Sequence, residues 1–346
     1  MGTETIRVGI VGAGANTRLK HIPGFKAIAG VEVVSVANRS RESGERAARE
    51  FGIPKVYDHW LELVEADDTD AICIGTWPSL HCPVTVAALE NDKHVLCEAR
   101  MAMNAAEAHA MLEAARQHPH LITQVVAAPH TLTVDRTIQE LIADGYVGEL
   151  LAVEVRGLQP TFVDRESPLH WRHDADLSGL NTLTMGIWYE ALMRWVGPAS
   201  RVMAVTKVCV PQRKDGSGGL RWVTVPDHVD IIAHLACGAS AHLRFSTVTG
   251  LAPANEAWLF GTEGTLRLDT ATLKLYGGRR GDTELKEIGI PKEKQVGWRV
   301  EEEFINAIRG QEQVIRTSFE DGVRYMEFTE AVIRSAQSGQ AISLPL

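Results

Sequence analysis

Two glycines stand where an apolar run gives way to a helix-like segment. The run Ile6–Val11 is followed by Gly12 and Gly14. The first glycine permits a tight turn, and a side chain at the second would keep the backbone away from a pyrophosphate. A helix N-terminus behind such a turn offers free N–H donors to an anion. Thr17 replaces the usual third glycine, so we expect somewhat looser packing there. The pattern predicts a dinucleotide-binding turn formed by Gly12, Gly14, Ala15, Asn16 and Thr17.

The end of the second predicted strand bears on the choice between two dinucleotides. An acidic residue about 20 residues after the glycines binds the ribose hydroxyls of NAD. This chain has Asn38, Arg39, Ser40 and Arg41 at that place. Asparagine does not repel a 2′-phosphate, and arginine and serine can bind one directly. The segment therefore favours NADP(H) over NAD(H). The alternative is that the two arginines only form a solvated helix start.

The first third of the chain alternates short apolar runs with helix-length segments. Buried parallel strands produce such continuous apolar runs. The predicted strands are Ile6–Val11, Val31–Ala37, Ala71–Ile74, His94–Cys97 and Leu121–Ala127. The predicted helices between them include Arg41–Phe51, His81–Glu90 and Ala105–Gln117. The alternation predicts an α/β fold, a doubly wound parallel sheet of the Rossmann type, over residues 1–124.

After Gly148 the rhythm changes to runs that alternate in polarity, as half-exposed antiparallel strands do. We expect an α+β domain with an open antiparallel sheet over residues 125–346. Glycine-rich segments at 215–219 and 276–281 predict hairpin loops. Predicted strands cover 149–159, 201–210, 229–237, 240–248, 257–260 and 265–268, and predicted helices cover 185–195, 298–308 and 319–337.

Length and charge narrow the classes of function. A chain of 346 residues exceeds one ordinary hydrophobic core, so two domains are expected. A formal net charge of −9 argues against a nucleic-acid partner. No run approaches a membrane span, the N-terminus lacks a signal-peptide pattern, and the five cysteines and the histidines show no metal-ligand spacing. We therefore expect a cytoplasmic protein without a metal centre or a membrane partner.

Several segments, taken in order, extend these observations along nearly the whole chain. They read GIVGAGANTRLKHIPGF, DAICIGTWPSLHCPVTVAALENDKHVLCEARMAMNAAEAHAML, LIADGYVGEL, WRHDADLSGLNTLTMGIWYEALMRWVG, LFGTEGTLRL and SFEDGVRYMEFTEAVIRSAQSGQ. The set resembles the glucose–fructose oxidoreductase/inositol dehydrogenase/MocA family. The resemblance implies hydride transfer between NAD(P) and a sugar, cyclitol or related carbonyl compound. It also implies a homo-oligomer, a dimer or tetramer, formed through the C-terminal sheet.

The resemblance assigns positions that face the cofactor. These are Gly12, Gly14, Asn16, Thr17, Asn38, Arg39, Thr76, Trp77, His81 and Glu98. Read without the family, His81 fits equally well as a helix-capping residue at the start of its helix.

The chain departs from the family at its usual proton carriers. The family lysine of a Glu-Lys-Pro motif is Ala99 here, and Arg100 takes the proline place. On a later helix Thr184 takes the aspartate place and Trp188 the histidine place. An alcohol cannot lose hydride without giving up its hydroxyl proton, so the site needs another acid/base. We expect relocated groups, with Trp188 forming an apolar wall beside the nicotinamide.

Candidates for the relocated groups follow from residue type and position. The candidate proton carriers are Asp174, Asp176, Tyr189, His173 and His130, and the candidate substrate-binding residues are Arg100, Trp171, Arg172, Thr184 and Trp188. Each has a structural alternative. The aspartates fit turn capping, the histidines fit surface or interior positions, Arg100 fits a solvated helix start, and Trp188 fits a core stripe with Leu192 and Trp195.

Three functions remain open from the sequence. The favoured one is an NAD(P)-dependent oxidoreductase with atypical acid/base residues, acting on a sugar-like carbonyl or hydroxyl compound. The second is a redox-neutral isomerase, lyase or glycoside-cleaving enzyme of the same fold. The third is a non-catalytic sensor of a dinucleotide or sugar. Substrate-dependent oxidation of NADPH separates the first from the others.

Overall fold

The structure is a computed structural model, and it describes residues 5–346. The chain forms two compact units. The first runs to Ala127 and also contains 299–323, and the second contains 128–298 and 324–346. The predicted domains of residues 1–124 and 125–346 differ from these units in two respects. The first boundary lies at Ala127, three residues later than predicted, and residues 299–323 belong with the first unit. Sequence order alone does not reveal the second difference.

A parallel six-stranded sheet forms the centre of the first unit, in the order β3-β2-β1-β4-β5-β6. Its order reverses around β1, as in doubly wound folds. The continuous apolar runs are buried as expected; every residue of Ala71–Ile74 is buried. The strands are β1 Ile6–Val11, β2 Val31–Ala37, β3 Lys55–Tyr57, β4 Ala71–Ile74, β5 His94–Cys97 and β6 Thr123–Val125. The predicted Rossmann sheet is confirmed, with β6 shorter than expected.

Helices connect these strands. Ten helices in the described chain are α1 Ile22–Lys26, α2 Arg41–Phe51, α3 Trp60–Glu65, α4 His81–Glu90, α5 Ala105–Gln117, α6 Leu132–Ala143, α7 Ala175–Ser178, α8 Met185–Val196, α9 Val300–Ile308 and α10 Phe319–Ser338. A π-turn, Thr17–His21, leads directly into α1. In residues 5–346 no helix is both long and apolar enough to cross a membrane.

A nine-stranded sheet forms the second unit, in the order β16-β15-β14-β13-β7-β12-β11-β8-β17. Its neighbours are antiparallel except β7 and β12, which run parallel, so the sheet is mixed. The strands are β7 Leu150–Leu158, β8 Ala199–Lys207, β11 His228–Leu235, β12 Ser240–Ser246, β13 Glu256–Gly261, β14 Gly264–Asp269, β15 Lys274–Arg279, β16 Lys286–Ile288 and β17 Ile342–Ser343. A separate hairpin pairs β9 Gln212–Lys214 with β10 Leu220–Trp222.

One of the two predicted hairpin loops is placed too early along the chain, because only Arg280 and Gly281 of 276–281 lie in the turn between β15 and β16. The loop at 215–219 does connect β9 and β10. Residues 276–279, however, lie inside β15, where Tyr276 pairs with Arg267. A Cβ at Gly277 would approach the Ile288 Cδ1 to 2.5 Å and the Tyr146 hydroxyl to 2.6 Å. The glycine serves close packing within a strand, which a glycine-rich stretch does not distinguish from a turn.

Candidate active site

The turn after β1 packs tightly against the turn after β4. Gly12 has a φ of +87°, in the region that favours glycine. A Cβ at Gly12 would lie 2.8 Å from the Thr76 amide nitrogen, and one at Gly14 would lie 3.0 Å from the Gly75 carbonyl oxygen. Gly14 and Ala15 are exposed at the surface of this turn. The geometry leaves a backbone cradle open to an anion, and side chains at the two glycines would close it.

Thr17 packs closely rather than loosely, which corrects the expectation from the sequence. The residue is buried, and it faces Gly75 at the end of β4. A Cβ at Gly75 would lie 1.9 Å from the Thr17 Oγ1 and 2.4 Å from the Gly12 carbonyl oxygen. The two turns can therefore approach each other closely because Gly75, which faces Thr17, has no side chain.

A cavity of about 610 Å³ opens beside this cradle. Its volume is in the range of small-molecule and cofactor sites. Six of the predicted cofactor residues line it: Gly12, Gly14, Asn38, Arg39, Thr76 and Trp77. The other six, Ala15, Asn16, Thr17, Ser40, His81 and Glu98, lie outside its lining. Asp58, His59 and Trp60 also line it, and no pattern in the sequence indicates them because β3 has only three residues.

The side chains that follow β2 make different contacts. Asn38 accepts a hydrogen bond from the Ala13 amide at 2.7 Å, so it braces the glycine turn. Ser40 caps α2 through the Ser43 amide. Arg41 is paired with Asp58 at 2.8 Å and with a glutamate one helical turn away. The Arg39 guanidinium lies over the Trp77 ring, 5.7 Å from its centroid.

His81 is a buried bridge between two backbone segments. Its Nδ1 lies 2.9 Å from the Arg100 carbonyl oxygen, and its Nε2 lies 3.1 Å from that of Thr76. Burial lowers the pKa of this imidazole. The ring is 1% exposed, so it holds the turn after β4 in place and does not present a surface to a ligand.

Glu98 belongs to a buried ionic cluster in the first unit. Its Oε1 lies 2.9 Å from the His21 Nε2 and also accepts from the Asn16 amide nitrogen. The His21 Nδ1 lies 2.5 Å from Oε1 of Glu301 on α9. Sequence reasoning missed His21 and Glu301, because no local pattern links residues so far apart along the chain.

The pKa values in this cluster move in opposite directions. Burial lowers the pKa of His21, but hydrogen bonds and attraction from Glu301 and Glu98 outweigh it and raise that pKa to about 9. Burial raises the pKa of Glu98, but His21 and Asn16 outweigh it and leave that pKa below its ordinary value. The two carboxylates therefore favour the protonated form of the histidine.

The segment after Glu98 carries the replaced lysine. Ala99 offers no proton-transfer group, and the Ala99–Arg100 peptide is cis. Arg100 is only 4% exposed, so it is not the solvated helix start that the sequence allowed.

In the second unit, His130 stacks on Trp188. The ring centroids are 5.9 Å apart and the planes differ by 12°. Trp188 is buried on α8, while His130 remains exposed. Packing around the imidazole lowers the pKa of His130. Thr184 is half-buried at the beginning of the same helix. The His130 imidazole thus stacks on Trp188, the residue at the position where the family resemblance expects a histidine.

Tyr189 is a core residue, which corrects its candidacy as a proton carrier. Its ring stacks on Phe328 with centroids 3.6 Å apart, and its hydroxyl accepts from the Ala199 amide at 2.7 Å. Burial raises the pKa of this phenol far above its ordinary value. A side chain that is 1% exposed and hydrogen-bonded to the backbone cannot exchange protons with a substrate.

The two candidate aspartates lie at the start of α7. Asp174 caps that helix by accepting from the Asp176 amide at 3.0 Å, so turn capping describes it. Arg221 approaches their carboxylates at 3.8 Å and 3.6 Å. The Asp176 side chain is 86% exposed, so it lies in solvent.

His173 lies in the same region, next to a stacked pair. The Arg172 guanidinium covers the Trp171 ring at 4.2 Å. The Nδ1 of His173 is buried and has no hydrogen-bond partner within residues 5–346. Burial and the Arg213 charge lower the pKa of His173.

Comparisons with known proteins agree with this architecture. The family profile "Oxidoreductase family, NAD-binding Rossmann fold" matches residues 6–125, and "GFO/IDH/MocA C-terminal domain" matches residues 136–267. A dTDP-3,4-didehydro-2,6-dideoxy-alpha-D-glucose 3-reductase of Streptomyces violaceoruber is 31% identical over 78% of this chain and 75% of its own. The Streptomyces antibioticus protein of that name is 27% identical over 97% and 99%. The levoglucosan dehydrogenase of Pseudarthrobacter phenanthrenivorans is 29% identical, but the match spans only 47% of its length.

Solved structures show the same fold. A levoglucosan dehydrogenase in complex with NADH and L-sorbose superposes with a TM-score of 0.87 at 23% identity, covering 99% of both chains. An oxidoreductase domain protein from Kribbella flavida gives 0.86 at 22% identity, covering 99% of this chain and 100% of its own. With both profiles matched in order and the glycine cradle in place, this chain is an oxidoreductase of the GFO/IDH/MocA family with a nicotinamide-dinucleotide-binding domain.

Proposed function

We propose that this protein is an NADP(H)-preferring oxidoreductase that acts on a carbonyl or hydroxyl group of a sugar-like small molecule. The observation that carries the proposal is the open cradle at Gly12 and Gly14 beside a cavity that also contains Arg39. The sugar-like substrate is supported by the relatives, whose names include a levoglucosan dehydrogenase and a dTDP-sugar reductase.

The preference for NADP(H) rests on Arg39. The side chain is exposed, lines the cavity and is held over Trp77 by a cation–π contact. A guanidinium in this place can bind a 2′-phosphate through two parallel hydrogen bonds. Asn38 does not supply the carboxylate that would bind the ribose hydroxyls of NAD. Arg41 contributes less to binding of a 2′-phosphate, because its guanidinium is already paired with Glu45 and Asp58.

His130 is the proton carrier that the geometry favours. The bound dinucleotide supplies or accepts hydride, and the protein must move one proton at the substrate oxygen. With a lowered pKa, the His130 imidazole is neutral near pH 7 and can accept a hydroxyl proton as the alcohol is oxidised. In the reverse direction the same imidazole returns the proton to the carbonyl oxygen. Trp188 fixes the ring plane and supplies an apolar surface.

His173 is the second candidate for this role, and Asp174 and Asp176 follow it. The buried Nδ1 of His173 favours it over the aspartates, since one caps α7 and the other is solvated. Trp171 and Arg172 form a flat cationic surface suited to a sugar face or a carboxylate. Thr184 adds a hydroxyl near the start of α8. Arg100 is a buried cation of the first unit and stays a candidate for binding substrate.

Self-association through the C-terminal sheet completes the proposal. Ile232 on β11 pairs opposite Met203 on β8, and Val205 lies two residues further along β8 on the same face. These three apolar side chains are 64%, 50% and 69% exposed. An apolar group of this kind on a sheet is typical of a protein interface. Light scattering should give a dimer or tetramer for the native chain and a smaller species for Ile232→Asp.

The direct test of the function has two arms. Fluorescence titration should give a lower dissociation constant for NADPH than for NADH. A screen of sugars, lactones, aldehydes and imines with NADPH should then show substrate-dependent loss of nicotinamide absorbance. Product formed without net NADPH oxidation would replace the proposal with a redox-neutral enzyme. Tight NADPH binding without any turnover would replace it with a sensor.

A further inference from the structure

We propose that His21 is a positioning residue for the dinucleotide: as a buried imidazolium held between Glu98 and Glu301, it fixes the Asn16 end of the phosphate-binding turn. The proposal depends on dinucleotide binding by the first unit and assigns a role that the hydride-transfer site itself does not need. All four residues belong to that unit.

The ring geometry favours two protons on the imidazole. Both nitrogens of His21 face carboxylate oxygens, Nε2 at 2.9 Å from Glu98 and Nδ1 at 2.5 Å from Glu301. A neutral imidazole carries one N–H, so it would leave one nitrogen lone pair against a carboxylate oxygen. The imidazolium donates at both positions. With its side chain 0% exposed, the cation has no water to replace either partner.

The room for this cluster is made by a glycine. A Cβ at Gly24, within α1, would lie 2.8 Å from the Glu301 carboxylate. Glycine inside a helix costs roughly 1 kcal/mol relative to alanine, so it is unfavourable unless something requires it. Here it lets a carboxylate from α9 reach the histidine. The π-turn before α1 ends at His21 and turns its ring inward.

The cluster reaches the phosphate-binding turn through one oxygen. The Asn16 Nδ2 and the His21 Nε2 converge on Oε1 of Glu98, and the two nitrogens are 3.4 Å apart. Oε2 of Glu98 accepts from the Ala99 amide at 3.0 Å. Protonation of His21 therefore sets the position of Glu98, and Glu98 sets both Asn16 and the start of the Glu98–Arg100 segment.

The other titratable groups near the cluster do not compete for this role. Two carboxylates face His21, Glu98 on the segment after β5 and Glu301 on α9, and both raise its pKa. Cys73 on β4 lies near both carboxylates, and burial together with their charge keeps the pKa of its thiol high. The charge of Glu98 raises the pKa of His81 on α4, but burial outweighs this effect and keeps that pKa low. The cation between the carboxylates is His21.

The test compares the native chain with His21→Gln and Glu301→Gln. Nitrogen NMR of histidine-labelled protein, assigned by the signal lost in His21→Gln, should show both His21 nitrogens protonated at neutral pH. The NADPH dissociation constant of the native chain should rise as pH passes about 9. In His21→Gln it should be raised about 10-fold at neutral pH and stay flat through that range. Glu301→Gln keeps the hydrogen-bond acceptor but removes a charge, so it should move the NMR midpoint and the binding midpoint to lower pH together.

Several results would overturn the inference. A neutral His21 at pH 7 would do so, and so would parallel pH profiles in the native and His21→Gln proteins. If His21→Gln does not fold, Glu301→Gln carries the test, because a purely structural role predicts no shared shift of the two midpoints. A native chain that binds no dinucleotide would instead reject the proposed function and leave the NMR result to decide the charge state.

Discussion

The imidazole of His130 lies nearly parallel to the indole of Trp188, with ring centroids 5.9 Å apart. Trp188 takes the place where the family resemblance expects a histidine, and His130 comes from a segment before α6. An imidazole from a neighbouring segment of the same unit therefore lies against the position where the family resemblance expects one.

Replacement of His130 should remove most of the turnover. A general acid/base contributes typically 10²- to 10⁴-fold, so His130→Asn should lower kcat by about that factor while the NADPH dissociation constant stays constant. Steady-state kinetics and fluorescence titration measure the two quantities. His120→Asn is the matched control, since His120 is exposed and its Nε2 lies 2.5 Å from an Asp92 carboxylate oxygen. Equal kcat values for the native chain and His130→Asn would transfer the role to His173.

The pH profile of oxidation should report the His130 environment. Acceptance of a proton requires the neutral ring, so kcat/KM for oxidation should fall as pH drops through the His130 pKa. Partial desolvation of the ring by the residues packed around it places that pKa below the ordinary 6.5. In Trp188→Ala the ring is more solvated, so the break should move up toward the ordinary value. A break that stays in place in this variant would show that another group titrates.

Selection between dinucleotides should depend on Arg39. Loss of a charge-assisted contact costs about 1.5–3 kcal/mol, so Arg39→Ala should raise the NADPH dissociation constant by roughly 10- to 100-fold and leave that of NADH nearly constant. Arg41→Ala is the control, because this guanidinium is already paired with Glu45 and Asp58. Equal effects on both dinucleotides in Arg39→Ala would refute selection by the 2′-phosphate.

Gly75 should tolerate no side chain. A Cβ there meets the Gly12 carbonyl oxygen at 2.4 Å as well as the Thr17 hydroxyl, and backbone cannot move aside cheaply. Gly75→Ala should lower the free energy of unfolding by at least about 2 kcal/mol, as measured by urea denaturation. Gly216→Ala meets nothing within 4 Å and should change it by less than about 0.5 kcal/mol. Similar stabilities of the two variants would contradict the close approach.

Stability should fall in alkaline solution because of His21. Folding raises its pKa from 6.5 to about 9, so its contribution is complete below pH 6.5 and is lost as pH rises through 9. The shift corresponds to an order of magnitude of about 3 kcal/mol. Urea unfolding across this range should show the decline in the native chain and a flatter curve in His21→Gln. Coincident curves would show that His21 is neutral in the folded protein.

The sequence predicts the parts of the fold that depend on local pattern. Buried parallel strands such as Ala71–Ile74 and helices such as Arg41–Phe51 agree with the structure residue for residue. The three-residue strand Lys55–Tyr57 carries too few positions for a pattern, so the cavity residues after it were missed. Glycines occur both in tight turns and where a strand packs too closely for a side chain. The glycines of Lys274–Arg279 belong to the second case, which the sequence does not distinguish from the first.

The candidate site likewise contains some residues that the sequence predicts and others that it does not. The glycine cradle follows from strand–turn–helix order, so Gly12 and Gly14 could be found from the sequence. The His21–Glu301 contact could not, since its partners are 280 residues apart and meet only after 299–323 joins the first unit. Tyr189 and Asp176 looked equivalent as candidates, and only burial separates a core phenol from a solvated carboxylate.

Transfer of isotopic label tests the central claim most directly. NADPH is deuterated at the reactive nicotinamide carbon, on one face or the other. Each labelled cofactor is incubated with the protein and each sugar-like carbonyl compound, and the masses of the products are measured by mass spectrometry. An NADP(H)-dependent oxidoreductase should yield a product one deuterium heavier from one face and an unlabelled product from the other. Unlabelled product from both faces, or no product from any compound tested, would contradict hydride transfer by this protein.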